Sequence, residues 1–104
     1  MQNLSNTPVQ EMRPGFLGKM VHGDKSSLVF WEIKKGAITP MHDHVHEQIT
    51  YIMEGQLEMV IGGEKYLFNA GDYHVIPSNV PHSAIAITDC KVIDTFAPAR
   101  DDYR

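Results

Sequence analysis

Six histidines occur in 104 residues, and three of them fall within residues 42–46. On a β-strand, residues two apart point to the same side, so His42 and His44 are predicted to aim their imidazole rings at one point. Two convergent imidazoles supply half of a transition-metal site. Gln48 opens the next predicted strand and can face the same point, and His82, after a proline-rich turn, is the best candidate for the fourth ligand. These residues alone leave open the alternative of surface histidines in a loop.

The elements that must position these side chains are short β-strands. From Ser27 onward, runs rich in Val, Ile, Phe and Tyr alternate with turn residues. Gly62–Gly63 is a two-residue hairpin signal, because both glycines accept positive φ. No window of a dozen residues shows helical periodicity without Gly or Pro, so the pattern predicts an all-β antiparallel sandwich or barrel. The predicted strands are 27–35, 47–53, 56–61, 64–68, 73–76, 82–88 and 91–96.

The sequence divides into an N-terminal arm, residues 1–26, and a barrel with a C-terminal tail, residues 27–104. The arm is polar and broken by prolines and glycines, so we expect it to be partly irregular, with one short strand around residues 16–21. A chain of 104 residues fits one domain overall.

The composition limits the classes of partner. The net charge is −4 and the longest basic run is Lys34–Lys35, so we expect no nucleic-acid partner. The apolar stretches are too short for a membrane span and the first residues do not resemble a signal peptide, so we expect no membrane partner. The single cysteine, Cys90, excludes an intramolecular disulfide and favours a cytoplasmic setting.

Two stretches resemble the two conserved motifs of the cupin superfamily, and the resemblance spans about residues 27–96. The first motif matches as Gly, five residues, His-x-His, three residues, Gln, six residues and Gly. The second matches as Gly, five residues, Pro-x-Asn, two residues and His. Asn stands in place of a motif glycine, and it also accepts left-handed backbone angles; Ala86 stands in place of a motif Asn that is not a ligand. The matching residues are Gly36, His42, His44, Gln48 and Gly55 in the first motif, and Gly71, Pro77, Asn79 and His82 in the second.

The resemblance implies a single cupin domain, which is a double-stranded β-helix or jelly-roll barrel. It also implies one divalent transition metal, Ni, Zn, Mn or Fe, held by His42, His44, Gln48 and His82. The usual family ligand at position 48 is Glu, and a neutral amide would leave the ion a stronger Lewis acid. A one-residue slip would make Glu47 the ligand instead, but it would reverse the face that the strand presents.

The other three histidines are assigned to different places. His46 is expected beside the ligands, at the rim or in contact with them, rather than as a fifth ligand. His22 and His74 are expected to be ordinary surface or interface histidines.

The strand that begins at His82 indicates both a pocket and an interface. If His82 points inward, Ala84 and Ala86 point inward too, and such small side chains leave volume for a small ligand. Ile85 and Ile87 then form an exposed apolar stripe, which predicts a homodimer. The reversed arrangement, with the isoleucines in the core, stays open because both faces of the sheet are apolar.

The last predicted strand adds a second group of candidate site residues. Val92, Asp94 and Phe96 share one face of this strand, and Arg100 lies just beyond. The residues alone leave open whether Asp94 faces the pocket or is a solvated acid on the outer face. The stretch 44–52 and the tail Asp-Thr-Phe-x-Pro-x-Arg-x-Asp resemble the pectin-degradation (KdgF-type) uronate linearases. This resemblance implies that Asp94, Phe96 and Arg100 belong to an active site.

The same resemblance implies a reaction and a sugar-acid substrate. The enzyme would open the ring of a 4,5-unsaturated monouronate from pectin or alginate and give the linear 4-deoxy-5-keto uronate. The metal would stabilise oxygen charge, Asp94 would carry the proton, and Arg100 would clamp the substrate carboxylate. Two alternatives stay open: another metal-dependent cupin enzyme, such as a dioxygenase or a sugar isomerase, and a non-catalytic cupin that senses a small molecule.

Overall fold

The computed structural model describes all 104 residues, and it consists of ten β-strands and two single-turn 3-10 helices. No helix in it has the length and apolar character needed to span a membrane. The 3-10 turns are Leu4–Asn6 and Asp101–Tyr103. The strands are β1 Gln10–Arg13, β2 Phe16–His22, β3 Ser27–Ile33, β4 Ile38–His42, β5 Glu47–Glu54, β6 Gln56–Ile61, β7 Glu64–Asn69, β8 Tyr73–Ile76, β9 His82–Ala86 and β10 Cys90–Ala97.

The strands form two antiparallel sheets that face each other. The larger sheet has the order β1-β2-β3-β10-β5-β8, and the smaller has the order β4-β9-β6-β7. Every pairing between neighbours is antiparallel. This arrangement confirms the predicted all-β class, with a single β-barrel domain.

Residues with positive φ occupy the turns at which the sequence predicts them. Gly62 and Gly63, at φ 57° and 84°, join β6 to β7 as a tight hairpin. Asn79 has φ 64°, so the Asn that replaces a motif glycine does adopt the left-handed conformation. Gly55 has φ 88°, and a Cβ there would meet the backbone carbonyl of Asp89. These positions therefore need their residue types for backbone reasons.

The core lies between the sheets and follows the alternation of the strands. In β10, Cys90, Val92, Asp94 and Phe96 are buried while the residues between them face outward. The shared face predicted for Val92, Asp94 and Phe96 is confirmed, and it is the inner face. Asp94 is therefore not a solvated acid of the outer surface. Ile52 on the neighbouring strand is fully buried in the same layer.

The N-terminal region is more regular than the sequence indicates. The strand expected around residues 16–21 is present as β2, and it pairs with β3 along its whole length. A second strand, β1, was not predicted because its four residues give no alternating apolar signal. Phe16 and Met20 are part of the hydrophobic core, so β2 belongs to the barrel structurally. The division of the chain at residue 26 stays a prediction.

Candidate metal centre and cavity

Three histidine rings meet inside one end of the barrel. His42 ends β4 and His82 begins β9, and the antiparallel pairing of these strands places the two residues directly opposite each other. Their ring centroids are 4.3 Å apart, and the His44 ring lies 5.6 Å from His42 and 4.9 Å from His82. One possible ligand atom from each ring lies within 4.8 Å of the others. The three imidazoles are therefore close enough to bind one metal ion.

The reason for this convergence differs from the predicted one at His44. The His-x-His spacing predicts that His42 and His44 share one strand, but β4 ends at His42 and His44 lies in the following loop. The strand ends there because the chain must bend towards β5, which starts at Glu47 in the other sheet. The loop is held in place by the N–H of Asn79, which donates to the carbonyl of His44 at 2.8 Å. The second motif therefore positions a histidine of the first.

Each of the three rings is oriented by a backbone carbonyl. Nδ1 of His42, His44 and His82 lies 2.9 Å from the carbonyl oxygens of Pro40, His46 and Val80, respectively. A carbonyl only accepts hydrogen bonds, so each Nδ1 carries a hydrogen. In the neutral ring this leaves a lone pair on Nε2, the tautomer that a metal-binding histidine needs.

Burial favours these neutral rings. Desolvation is the largest cause that lowers the pKa of His42 and of His44, and it lowers the pKa of His82 to about 4. The positive charge of Arg100 acts in the same direction on all three. At neutral pH the cluster therefore presents lone pairs rather than positive charges.

Gln48, the predicted fourth ligand, lies next to the three rings. Its side-chain Oε1 is 3.1 Å from Nε2 of His44, although both atoms carry lone pairs when His44 is neutral with a hydrogen on Nδ1. A divalent cation at the cluster would accommodate both lone pairs, because each atom could then serve as one of its ligands. The amide nitrogen of Gln48 donates to Thr50 Oγ1 at 2.9 Å and to Asp94 Oδ1 at 3.2 Å, which fixes its oxygen towards the histidines. Glu47 is exposed on the other face of β5. The donors thus fit a divalent transition metal, and the role of Gln48 as a ligand stays a prediction.

The remaining histidines lie outside this donor set. Nδ1 of His46 is buried without a hydrogen-bond partner, and its ring lies 5.3 Å from that of His44 and 6.3 Å from that of Phe96. His22 is bonded through Nδ1 to the hydroxyl of Ser27 at 2.8 Å. His74 packs against Tyr66, with ring centroids 4.8 Å apart. His46 is therefore a neighbour of the cluster, and the other two are remote from it.

Asp94 is a buried carboxyl beside the metal centre. Its Oδ2 accepts a hydrogen bond from Trp31 Nε1 at 2.9 Å, and its Oδ1 accepts from Thr50 at 2.7 Å and from Gln48 at 3.2 Å. Burial raises the pKa of Asp94 to about 6, against the opposing effect of these three donors. A carboxyl with this pKa can exist in either protonation state near neutral pH.

Arg100 and Phe96 form an adjoining wall. The guanidinium of Arg100 donates from Nε and Nη2 to the two carboxylate oxygens of Asp102, at 3.0 and 2.8 Å. It lies 4.6 Å from the centre of the Phe96 ring and 3.9 Å from the centre of the Tyr103 ring. Phe96 in turn lies 5.7 Å from the His44 ring. Asp102 thus occupies the Nε–Nη2 edge of Arg100. The Nη1–Nη2 edge still has N–H donors that can bind a ligand.

A cavity between the two sheets brings these groups together. The side chains of His82, Ala84 and Ala86 face inward as predicted. Ala84 lines the cavity, Ala86 is buried and Ile87 is exposed. Several lining residues were not predicted, because their partners are distant in the chain or because their strand gives no clear sequence signal. The cavity-lining residues not predicted are Met12, Arg13, Phe16, Trp31, Ile33, Thr39, Thr50, Leu57, Met59, Ser83 and Tyr103.

A two-sheet β-barrel with three histidines converging at one end defines the class of this protein. Residues 29–96 match the family model described as Cupin domain, and the chain belongs to the cupin family.

The chain is also similar to particular cupins. It is 36% identical over 100 residues to the pectin degradation protein KdgF of Dickeya dadantii (strain 3937), which covers 93% of this chain and 91% of that protein. The structure of KdgF from Halomonas sp. matches with a TM-score of 0.90 and 34% identity, over 96% of this chain and 94% of that one. A stretch of 63 residues is 41% identical to quercetin 2,3-dioxygenase of Bacillus subtilis (strain 168), over 59% of this chain and 18% of that protein. The resemblance to the KdgF family is thereby confirmed.

Proposed function

We propose that this protein is a metal-dependent uronate linearase. It would open the ring of 4,5-unsaturated monouronates from pectin or alginate breakdown and yield the linear 4-deoxy-5-keto uronate. The observation that carries the proposal is that a buried carboxyl, Asp94, is hydrogen-bonded to Gln48 in the cavity lined by His42 and His82. The likeness to proteins named for pectin degradation supports the choice of substrate. A cytoplasmic setting is part of the proposal, since the one thiol is free and buried.

The reaction is an isomerisation that balances without a redox partner. A proton leaves the anomeric hydroxyl, the bond between C1 and the ring oxygen breaks, and C1 becomes an aldehyde. The ring oxygen keeps the electron pair as an enolate on C5, and a proton added to C4 converts this enolate to the 5-ketone. The protein must therefore take one proton, deliver one proton, and stabilise negative charge on oxygen between the two events.

Asp94 is the proposed proton carrier. Its hydrogen bonds from Trp31 and Gln48 come from groups that only donate in this geometry, and they favour the ionised carboxylate that takes a proton. The third partner, Thr50, has a hydroxyl that can donate or accept, so its contact with Oδ1 survives protonation of the carboxyl after the hydroxyl rotates. Both protonation states of Asp94 thus keep hydrogen-bond partners.

The other groups bind and orient the sugar acid. A divalent ion held by His42, His44, Gln48 and His82 supplies Lewis-acid stabilisation of oxygen charge when bound. Arg100 would contact the substrate carboxylate through the Nη1–Nη2 edge that Asp102 leaves free. Phe96 would support that guanidinium from one side, since its ring centre lies 4.6 Å from Cζ.

The test is incubation of the purified protein, after elemental analysis of its metal, with unsaturated galacturonate under anaerobic conditions. We expect loss of the ultraviolet absorbance of the C4–C5 double bond faster than in the absence of protein. NMR of the product should show the open-chain keto acid. An unchanged rate with fully metal-loaded protein would reject the proposal.

A second candidate is an oxygen-activating cupin, and the match to quercetin 2,3-dioxygenase favours it. Three histidines with a fourth donor also suit iron or another oxygen-binding metal. Oxygen uptake with a candidate substrate, combined with no reaction of the uronate without oxygen, would support this candidate over the linearase. A non-catalytic sensing cupin would bind a sugar acid and show neither reaction.

A further inference from the structure

The β1 strand brings an unexpected cation to the cavity. Met12 and Arg13 both line it, although consecutive residues of a regular strand face opposite sides. The pairing of β1 with β2 shifts register between Glu11 and Arg13, which is the mark of a β-bulge. Bulges re-aim side chains and are frequent next to active sites. The bulge thus explains how Met12 packs on the core while Arg13 also reaches the cavity.

Arg13 differs from Arg100 in having no partner. The guanidinium of Arg100 is bonded to both oxygens of Asp102, whereas Arg13 makes no side-chain hydrogen bond or ion pair within the chain. Arg13 is half-buried and lines the same cavity as His42 and Tyr103. Arg13 is therefore a positively charged residue of the cavity wall whose guanidinium N–H donors have no partner within the chain.

The acidic residues near the cavity leave this charge uncompensated. Asp94 is engaged by three donors, and Asp102 is engaged by Arg100. A carboxylate-bearing ligand would supply the missing partner, since guanidinium and carboxylate match in bidentate geometry. A neutral sugar would leave Arg13 without one.

We propose that Arg13 is a carboxylate-binding residue that gives the cavity its preference for sugar acids over neutral sugars. The inference rests on the proposed function for the identity of the sugar acid. Arg13 shares the substrate carboxylate with the free edge of Arg100, and it contacts the substrate rather than the reacting atoms. Its loss should therefore raise KM and leave kcat nearly unchanged.

The test compares Arg13→Gln with Lys25→Gln, which removes the same charge from an exposed loop residue. Binding of D-galacturonate and of D-galactose to the metal-loaded proteins is measured by calorimetry, and kinetics are measured with unsaturated galacturonate. Arg13→Gln should weaken galacturonate binding and raise KM by about 10-fold, the effect of one charge-assisted hydrogen bond. Galactose binding, metal content and melting temperature should match the wild type. Arg13→Lys keeps the positive charge but loses the planar pair of N–H donors. Its affinity for galacturonate should therefore lie between those of the wild type and Arg13→Gln.

Three outcomes would overturn the inference. One is a galacturonate preference in Arg13→Gln within about twofold of the wild type, since a tenfold loss is expected. Another is an equal loss of galacturonate affinity in Lys25→Gln, which would show that the effect comes from net charge alone. The last is wild-type protein that binds galactose as tightly as galacturonate. The protein could also prefer galacturonate in an Arg13-dependent way and yet not turn over the unsaturated uronate. That result would support the carboxylate-binding role of Arg13 and reject the proposed reaction.

Discussion

The indole nitrogen of Trp31 donates a hydrogen bond to Asp94 across 2.9 Å, although the two residues are 63 positions apart in the chain. They meet because β3 and β10 are neighbours, with Trp31 paired to Val92 and Asp94 paired to Val29. Both side chains are buried. A carboxyl buried in this way is stabilised by the groups that donate hydrogen bonds to it, and the free energy of that stabilisation can be measured.

A double-mutant cycle of Trp31→Phe and Asp94→Asn should give a coupling energy of about 1–3 kcal/mol, because neighbours in a buried network are not additive. The reason is that Trp31→Phe leaves Oδ2 of Asp94 without a partner. The measurement is urea unfolding followed by circular dichroism, because Trp31 is the only tryptophan and its replacement removes the indole fluorescence. Trp31→Phe combined with Asp43→Asn, an exposed acid, is the matched control and should be additive within about 0.5 kcal/mol. Additive behaviour in the first cycle would mean that the contact has no energetic role.

Asp94→Asn should lower turnover of unsaturated galacturonate by about 10²–10⁴-fold, the usual contribution of general acid–base catalysis. The amide keeps the shape of the carboxyl but does not carry the proton. Metal content, measured by plasma mass spectrometry, should be unchanged. Asp43→Asn removes the same charge from the loop between two of the histidines and should retain activity. Full turnover by Asp94→Asn would remove this residue from the proposed mechanism.

A divalent transition metal should raise the melting temperature of the wild type by roughly 10–20 °C at about 100 times its dissociation constant. This follows from about 2.7 kcal/mol of stabilisation by mass action and a shift of about 4–8 °C per kcal/mol in a domain of this size. His82→Ala removes a ring that points into the cluster and should abolish most of the shift. His74→Ala removes a ring that packs on Tyr66 instead and should leave it intact. Equal metal shifts in both variants would place the ion elsewhere.

Gly55→Ala should destabilise the fold more than Gly63→Ala. Both glycines have positive φ, 88° and 84°, so both changes introduce backbone strain of about 1–2 kcal/mol. A Cβ at Gly63 meets open space, whereas a Cβ at Gly55 collides with the carbonyl of Asp89. The free energy of unfolding of each variant is measured in urea. The loss in Gly63→Ala reports the backbone strain, and the additional loss in Gly55→Ala reports the collision. Equal losses of unfolding free energy would show that the chain around position 55 relaxes freely to admit the added methyl group.

The homodimer stays a prediction, and we expect it to form through a different face from the one that the sequence indicates. Ile85 is only partly exposed and pairs with Glu58 on the outside of the smaller sheet. The outer face of β5 and β8 instead carries the cross-strand pairs Ile49–Val75 and Tyr51–Tyr73, all four exposed. Because clustered exposed apolar side chains often mark a protein–protein interface, we expect this face to be the dimer contact.

Ile49→Glu should therefore convert a dimer to a monomer in sedimentation velocity at micromolar concentration. Leu67→Glu is the control, since Leu67 is exposed on the other sheet. A monomeric wild type, or a dimer that Ile49→Glu leaves intact, would contradict this assignment.

Local sequence signals predicted most strands and the histidine cluster. Alternation placed Val92, Asp94 and Phe96 on one face, and glycines marked the turns. Alternation could not say whether that face was inner or outer, because this depends on which sheet packs against it. The register of β5 was predictable in the same way, with Gln48 inside and Glu47 outside.

Features made by distant contacts or irregular backbone were not predictable. β4 contains Thr39 and Pro40 and lacks an alternating apolar pattern, so it was not among the predicted strands. His44 was assigned to the same strand as His42 from the two-residue spacing alone, and that spacing does not show that β4 ends at His42. The contact of Trp31 with Asp94 depends on pairing between strands far apart in sequence. Arg13 reaches the cavity through a bulge in an edge strand, a departure from regular geometry that residue types do not reveal.

The carbonyls that hold the three imidazoles come from residues two positions away from each ring: Pro40, His46 and Val80. Each ring is thus oriented by a carbonyl from its own short stretch of chain. An ion bound by the cluster would need no further ordering of these rings, so we expect the barrel to fold without metal and to take up an ion afterwards. Exchange of one ion for another would then leave the barrel standing, and the supply of metals in the surroundings would decide which ion is bound.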